Sequence, residues 1–300
     1  MKKINPITKR DLTITSRSMR FSWGLFAYEG ILMLVFLIAL SILGGAGYAD
    51  SNAQRYSSFI ALYPVVATAE ICIVALIIPI ITASSIAGEK ERQTFDIMLT
   101  TRISPMQIVT GKILSAVVRV MTYVLASVPI MAIGFTIGGV SWLSLFFFLL
   151  LTLVLALFEG AIGVFCSSVC KKSITAIIMS YIVIFAYCMM GFVPLILGTV
   201  HFYMTTGTAG SLAEKAMTFL ATVFLLPNPV FMFVEFFGSV ITGDDFLAGE
   251  LLEENLPGLS FLGNPAVWIT IAAILILLFT FCFMKLSAYI INPLHHKNDK

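Results

Sequence analysis

Six long apolar runs constrain this chain more than any other feature, because each is long enough to cross a lipid bilayer. Stretches that are poor in charge predict spans over residues 22–47, 60–87, 111–138, 142–169, 174–199 and 266–290. A membrane-spanning helix needs about 20 apolar residues, whereas the strands of a membrane barrel alternate apolar and polar residues, which these runs do not. The sequence therefore predicts an all-α integral membrane protein with six transmembrane helices.

The composition and the missing motifs exclude several classes of protein. Of the 300 residues, 59% are hydrophobic and 11% are charged, whereas a soluble domain carries roughly a quarter charged residues. Gly111-Lys112 would need a glycine at Met106 and a serine or threonine at Ile113 to form a phosphate-binding loop. We therefore expect no catalytic residue, no metal site and no nucleic-acid partner.

The basic residues fall almost entirely on one side of this six-span arrangement. Arg55 and Lys215 lie in connections on the other side. Because Lys and Arg favour the cytoplasmic face of a membrane, the sequence predicts a multi-pass protein of the cell membrane with both termini in the cytoplasm. The predicted cytoplasmic basic residues are Lys2, Lys3, Lys9, Arg10, Arg17, Arg20, Lys90, Arg92, Arg102, Lys112, Lys171, Lys172, Lys285, Lys297 and Lys300.

Residues 1–21 have the pattern of a cytoplasmic interfacial helix that precedes a transmembrane domain of residues 22–300. Apolar residues recur every seven positions, and basic residues do the same on another face; these are Ile7, Ile14 and Phe21, and Lys3, Arg10 and Arg17. Such a helix would place its basic face against anionic headgroups and its apolar face in the acyl boundary. A disordered basic tail is the alternative.

The connection over residues 200–264 is predicted to be an extracellular loop that contains two short helices. Its apolar pieces, 216–226 and 230–241, are separated by Pro227-Asn228-Pro229. Each piece covers roughly 16 to 18 Å at the helical rise, and two close prolines break a continuous helix. A re-entrant pair fits this pattern best. A seventh span over 216–241 is the alternative, and it would move the basic C-terminus outside.

Charges of both signs crowd into residues 88–112, and a cytoplasmic coupling loop is predicted over 88–110. Residues 89–99 can form a short helix in which Phe95, Met98 and Leu99 share one side while Glu91, Arg92 and Asp96 face elsewhere. Ser104 followed by Pro105 is typical of a helix start, with serine as the N-cap and proline in the first turn. The segment is the best candidate for contact with a soluble partner.

Residues 87–99, which read AGEKERQTFDIML, followed by Ser104-Pro105 and Gly111-Lys112, resemble the cytoplasmic loop between spans two and three of type-2 ABC transporter permeases. The small-residue end of span four, residues 163–172, is also similar to that family. Two positions depart from the family pattern. The family often has glycine where Gln93 stands and proline where Arg102 stands.

The resemblance implies the membrane subunit of an ATP-driven exporter. Two permease subunits, identical or paired with a homologue, would form the path through the lipid bilayer. A separate cytoplasmic ABC ATPase would use ATP and Mg, so that this chain itself binds no cofactor. The residues that the resemblance implies for ATPase coupling are Glu89, Glu91, Arg92, Thr94, Phe95, Asp96, Met98 and Leu99.

Ionisable residues inside the spans are hypotheses of function, because burying them in a membrane is costly. Glu70 lies near mid-membrane between Pro64 and Pro79, which predicts a kink around a polar point in a translocation path. A protonated glutamic acid that is hydrogen-bonded between helices is the alternative for Glu70. Arg119 and Glu159 fall at similar depth, so they are predicted to form a structural pair. These carboxylates also leave open an ion-coupled secondary transporter as the alternative function.

Overall fold

The computed structural model describes residues 13, 18–45, 60–95, 104–138, 141–194, 196–197, 212–242 and 261–292. Within those residues the fold consists of nine α-helices and contains no strand. They are α1 (Met19–Gly45), α2 (Leu62–Glu91), α3 (Pro105–Ala126), α4 (Val128–Gly138), α5 (Trp142–Val169), α6 (Ser173–Met190), α7 (Leu212–Leu225), α8 (Pro229–Thr242) and α9 (Pro265–Ile291).

Six of the described helices are long and apolar enough to cross a membrane. The candidate spans are Phe21–Leu43, Leu62–Glu91, Pro105–Ala126, Trp142–Val169, Ser173–Pro194 and Pro265–Ile291. The prediction of an all-α protein is confirmed, and six of the described helices are candidate spans, as predicted. Several predicted features lie outside the described residues: nearly all of the interfacial helix over 1–21, the acidic part of the 200–264 loop, and residues 96–103 of the coupling loop.

The chain divides into two compact units. The first comprises Met1–Ser180 and Thr280–Lys300, and the second comprises Tyr181–Phe279. In the first unit, α2 packs along α5, with α3 beside both. Val74, Ile78, Val117, Ala161 and Val164 belong to the hydrophobic core at this contact.

Small residues of α5 allow α2 to come unusually close. A Cβ added at Gly163 would lie 2.0 Å from Thr82 Oγ1 and 3.2 Å from the backbone nitrogen of Ala83. Without a side chain on Gly163, the two backbones can approach closely, as small residues permit in membrane helix pairs. This contact positions the end of α2, where the charged residues lie.

The predicted third span is divided into α3 and α4 at Ser127. Proline lacks a backbone N–H, and its ring clashes with the carbonyl four residues earlier. Pro129 therefore accounts for the interruption two residues before it. The predicted start of α3 is confirmed, since Ser104 Oγ accepts a hydrogen bond from Gln107 N and Gln107 Oε1 accepts one from Ser104 N, at 3.3 and 3.1 Å.

Helix α2 is continuous past Glu70, and the kink that was predicted in span two stays a prediction, whereas span three is interrupted. Pro64 is the third residue of α2, where a proline costs no helical hydrogen bond. Pro79 lies within the helix without ending it. The polar cluster around Glu70 consequently forms where the break between α3 and α4 contacts the continuous helix α2.

In the second unit, α7 and α8 meet at a 96° bend, which confirms the predicted pair of short helices. Asn228 stabilises the bend, because its Nδ2 donates to Cys188 O at 2.8 Å and its Oδ1 accepts from Val230 N at 2.9 Å. Tyr187 Oη also donates to Pro227 O at 3.1 Å. That the pair is re-entrant, and not a bent seventh span, stays a prediction.

Candidate functional site at the charged end of helix α2

Three consecutive charged residues at the end of α2 contact three different helices. Glu89 Oε1 forms a 2.7 Å salt bridge with Lys112 Nζ of α3. Lys90 Nζ donates to Ser168 O near the end of α5. Glu91 Oε2 accepts from Ser173 N and Ser173 Oγ, at 3.2 and 2.8 Å, where α6 begins. We call these three residues and their partners Lys112, Ser168 and Ser173 the polar junction.

A buried serine of α5 holds the part of α2 that precedes the polar junction. Ser167 Oγ accepts hydrogen bonds from the backbone nitrogens of Ile86 and Ala87, at 3.0 and 2.8 Å. Ser167 has no exposed surface. Because one hydroxyl contacts two amides of another helix, the last turns of α2 are fixed against α5 just before the charged residues.

The residues after Glu91 form an exposed turn. Gln93 N donates to Lys90 O at 3.1 Å, and Thr94 N donates to Glu89 O at 2.9 Å. Gln93 has a φ of 57°, which lies in the left-handed region that glycine adopts most easily. This is the position at which the family often has glycine. Arg92, Gln93 and Thr94 are exposed, so they can contact a partner.

The predicted docking helix over residues 89–99 requires a correction. Glu89 and Glu91 are the end of α2 and are engaged within the protein, and a turn follows them. Phe95, which was predicted to face a partner, is 9% exposed and belongs to the hydrophobic core of the first unit. Lys90 Nζ lies 5.7 Å from the centre of its ring. Asp96, Met98 and Leu99 lie outside the described residues.

Phe95 is buried because the tight turn brings the chain back onto the core. The large apolar area of a phenylalanine then favours contact with apolar neighbours over exposure to water. Of the predicted coupling residues, the structure leaves Glu91, Arg92 and Thr94 exposed.

Glu70 forms a buried polar cluster between α1, α2 and the α3–α4 break. Its Oε1 accepts from Tyr28 Oη at 2.9 Å and from Ser127 Oγ at 2.5 Å. Glu70 and Ser127 have no exposed surface, and Tyr28 has 3%. Glu70 Oε2 has no hydrogen-bond partner among the described residues. The residue that lacked an obvious partner in the sequence therefore joins three elements.

The predicted pair of Arg119 and Glu159 is not formed in the structure. Glu159 is 3% exposed, and its Oε2 has no hydrogen-bond partner within the described part of the chain. The reason is the orientation of α3 about its own axis, which determines the residues that face α5. A Cβ at Gly160 would be 3.8 Å from Val117, so Val117 faces α5. Arg119 lies two residues further, about 200° around the helix, and faces away.

A comparison with protein families matches the description "ABC-2 family transporter protein" to residues 27–288. The chain belongs to this family. The match extends from within α1 to within α9 and confirms the resemblance found in the sequence. The protein is thus an ABC-2 type permease, a multi-pass membrane component that is not itself catalytic. None of the curated proteins matches this chain.

In this ABC-2 permease, the residues that hold the charged end of α2 were not predicted from the sequence. Ser173 precedes an apolar run and follows two lysines, which is a recognisable helix-start signal. No local pattern in the sequence indicated that Glu91 would accept the hydrogen bonds of Ser173, because the two residues are 82 positions apart. Ser167 lay within the small-residue end of span four, but nothing in the sequence indicated that it would contact α2.

Proposed function

We propose that this ABC-2 permease is the membrane subunit of an ATP-driven exporter that works as a dimer. Both termini lie in the cytoplasm of a cell-membrane protein, as the placement of basic residues supports. A separate cytoplasmic ATPase binds and hydrolyses ATP with Mg. The partner permease subunit is an identical copy or a homologue.

The polar junction is the observation that supports coupling to an ATPase at the turn of residues 92–94. The turn is exposed, while the three residues before it are bonded to α3, α5 and α6. A partner that displaces the turn consequently acts on four helices. The core of the transporter would then respond to a force applied at one small surface.

The experiment isolates a tagged permease from its native membranes and measures the amount of ABC ATPase that remains bound. We expect Arg92→Glu combined with Met98→Asp and Leu99→Asp to remove most of the ATPase. Phe95 is left unchanged, because its burial would make a polar substitution unfold the core. Lys215→Glu is the matched control, since Lys215 is exposed and lies on the predicted opposite side. Equal ATPase retention in both variants would disprove docking at this segment.

An ion-coupled transporter is the second candidate, and the unpartnered Oε2 of Glu70 favours it. In that case no ATPase would copurify. Proteoliposomes that contain the permease alone would carry protons down an imposed pH gradient, as reported by an internal pH-sensitive dye. Glu70→Gln would abolish this flux. Proton flux in the absence of ATP, together with no bound ATPase, would replace the exporter by this alternative.

A further inference from the structure

We propose that Glu91 is the positioning residue that carries movement of the turn of residues 92–94 into helix α6. The inference rests on the proposed function, because it assumes that an ATPase displaces this turn. It assigns to one member of the polar junction a task that the other members do not share. Glu91 would pass displacement to α6, while Glu89 and Lys90 hold α3 and α5.

The geometry at the start of α6 makes Glu91 a directional link. The first amides of a helix have no partner within the helix, and the helix dipole favours a negative group there. Glu91 Oε2 accepts both the N–H and the hydroxyl of Ser173, at 3.2 and 2.8 Å. A carboxylate from α2 therefore caps α6, although 82 residues separate the two groups.

The apolar contact between these two helices lacks such direction. Ala83 and Ala87 of α2 pack against Ala176 of α6. Contact between methyl groups is non-directional, so it permits α6 to slide or rotate against α2. A change in the position of Glu91 moves its two hydrogen-bond donors with it. The carboxylate can thus transmit a displacement of α2 to α6, whereas the alanine contact would allow α2 to move without moving α6.

The charges around Glu91 place the link within reach of a partner. Both Arg92 and Lys172 lie close enough to interact electrostatically with its carboxylate, and both are exposed. Arg92 belongs to the turn and Lys172 to the connection between α5 and α6. A soluble subunit that contacts either side chain thereby acts directly beside the bond between α2 and α6.

The test uses the permease with the ATPase bound, in a background free of native cysteines and with a single environment-sensitive fluorophore at Ile178→Cys. Ile178 is 54% exposed on α6, so the label reports on that helix. We expect ATP to change the emission in the unsubstituted complex. Glu91→Ala should reduce the amplitude by about 2- to 30-fold, the range in which substitutions alter coupling between sites. ATPase should still be retained, and the loss of the cap on α6 should lower the melting temperature only slightly.

Two further variants separate coupling from capping. Glu91→Gln keeps a carbonyl oxygen for the two donors and should retain the response. Glu91→Ala combined with Ser173→Asp restores a capping side chain to α6 from within its own sequence, but it removes the bond to α2. We expect this double variant to remain unresponsive.

Three results would overturn the proposal: a full emission change in Glu91→Ala, recovery in the double variant, or no change in the unsubstituted complex with ATPase bound. Failure of the proposed function has a different signature, because no ATPase would then be retained by the unsubstituted permease.

Discussion

At the scale of single residues, one missing side chain sets the distance between α2 and α5. A Cβ at Gly163 would lie 2.0 Å from Thr82 Oγ1 and 2.9 Å from Thr82 Cβ. The backbone nitrogen of Ala83 is near as well, so a change of rotamer at Thr82 cannot create enough space. The two helices would have to separate.

Gly163→Ala is therefore expected to lower stability by about 1–3 kcal/mol, the usual cost of overpacking a core. The measurement is thermal unfolding of the purified permease in detergent. Gly160→Ala is the matched control on the same helix, because its nearest new neighbour is Ile113 Cγ2 at 3.4 Å. Equal melting temperatures for the two variants would show that the contact is looser than the structure indicates.

The turn after α2 contains a second residue whose conformation limits its choice of side chain. Gln93 has a φ of 57°, and this conformation costs an L-residue other than glycine roughly 1–2 kcal/mol. We expect Gln93→Gly to raise stability by up to about 1 kcal/mol, after the greater flexibility of glycine in the unfolded chain is subtracted. Thr94→Gly, at a position without positive φ, should instead lower it. A destabilised Gln93→Gly variant would contradict the strained turn.

At the scale of elements, the break between α3 and α4 makes room for a polar cluster inside the apolar bundle. Ser127 lies at the break and donates to Glu70, while Tyr28 of α1 donates to the same oxygen. The carboxyl group thus holds three helical elements together. The structural role of Glu70 depends on the acceptor oxygen Oε1 and not on a negative charge.

We predict that Glu70→Gln retains the stability of the protein and that Glu70→Ala does not. Glutamine keeps an oxygen for Tyr28 Oη and Ser127 Oγ. Alanine leaves the buried Tyr28 hydroxyl without its acceptor, a loss of about 1–3 kcal/mol. Ser127 can still donate to Val124 O at 2.8 Å, so Tyr28 carries most of the loss. Equal unfolding temperatures for both variants would mean that Glu70 does not join these helices.

The sequence predicted the positions of the helices better than the contacts between them. Run length located all six spans, Ser104-Pro105 located the start of α3, and Pro227-Asn228-Pro229 located the bend between α7 and α8. These signals are local. A long apolar helix gives little periodic signal of which side is buried, so the orientation of Arg119 away from α5 could not be read from spacing. The burial of Phe95 depends on the tight turn after α2, which the helical spacing of residues 89–99 did not predict.

At the scale of the whole molecule, the side on which each connection lies can be tested by labelling. Single cysteines at Lys215, Glu250 and Lys297 would be treated in intact cells with a maleimide that cannot cross the membrane. A re-entrant α7–α8 pair predicts labelling at 215 and 250 and protection at 297. A seventh span predicts labelling at 215 and 297 and protection at 250. Labelling at Arg92→Cys, the internal control, would contradict the cytoplasmic assignment itself.

The bonds from Ser167 to α2 also have a consequence for how the chain is made. Ser167 lies 80 residues beyond Ala87, and at about 5–20 residues per second of synthesis this separation corresponds to a wait of roughly 4 to 16 seconds. During that interval Ile86 and Ala87 lack the hydroxyl that will later contact their amides. The attachment of the end of α2 to α5 can therefore form only after α5 has been made.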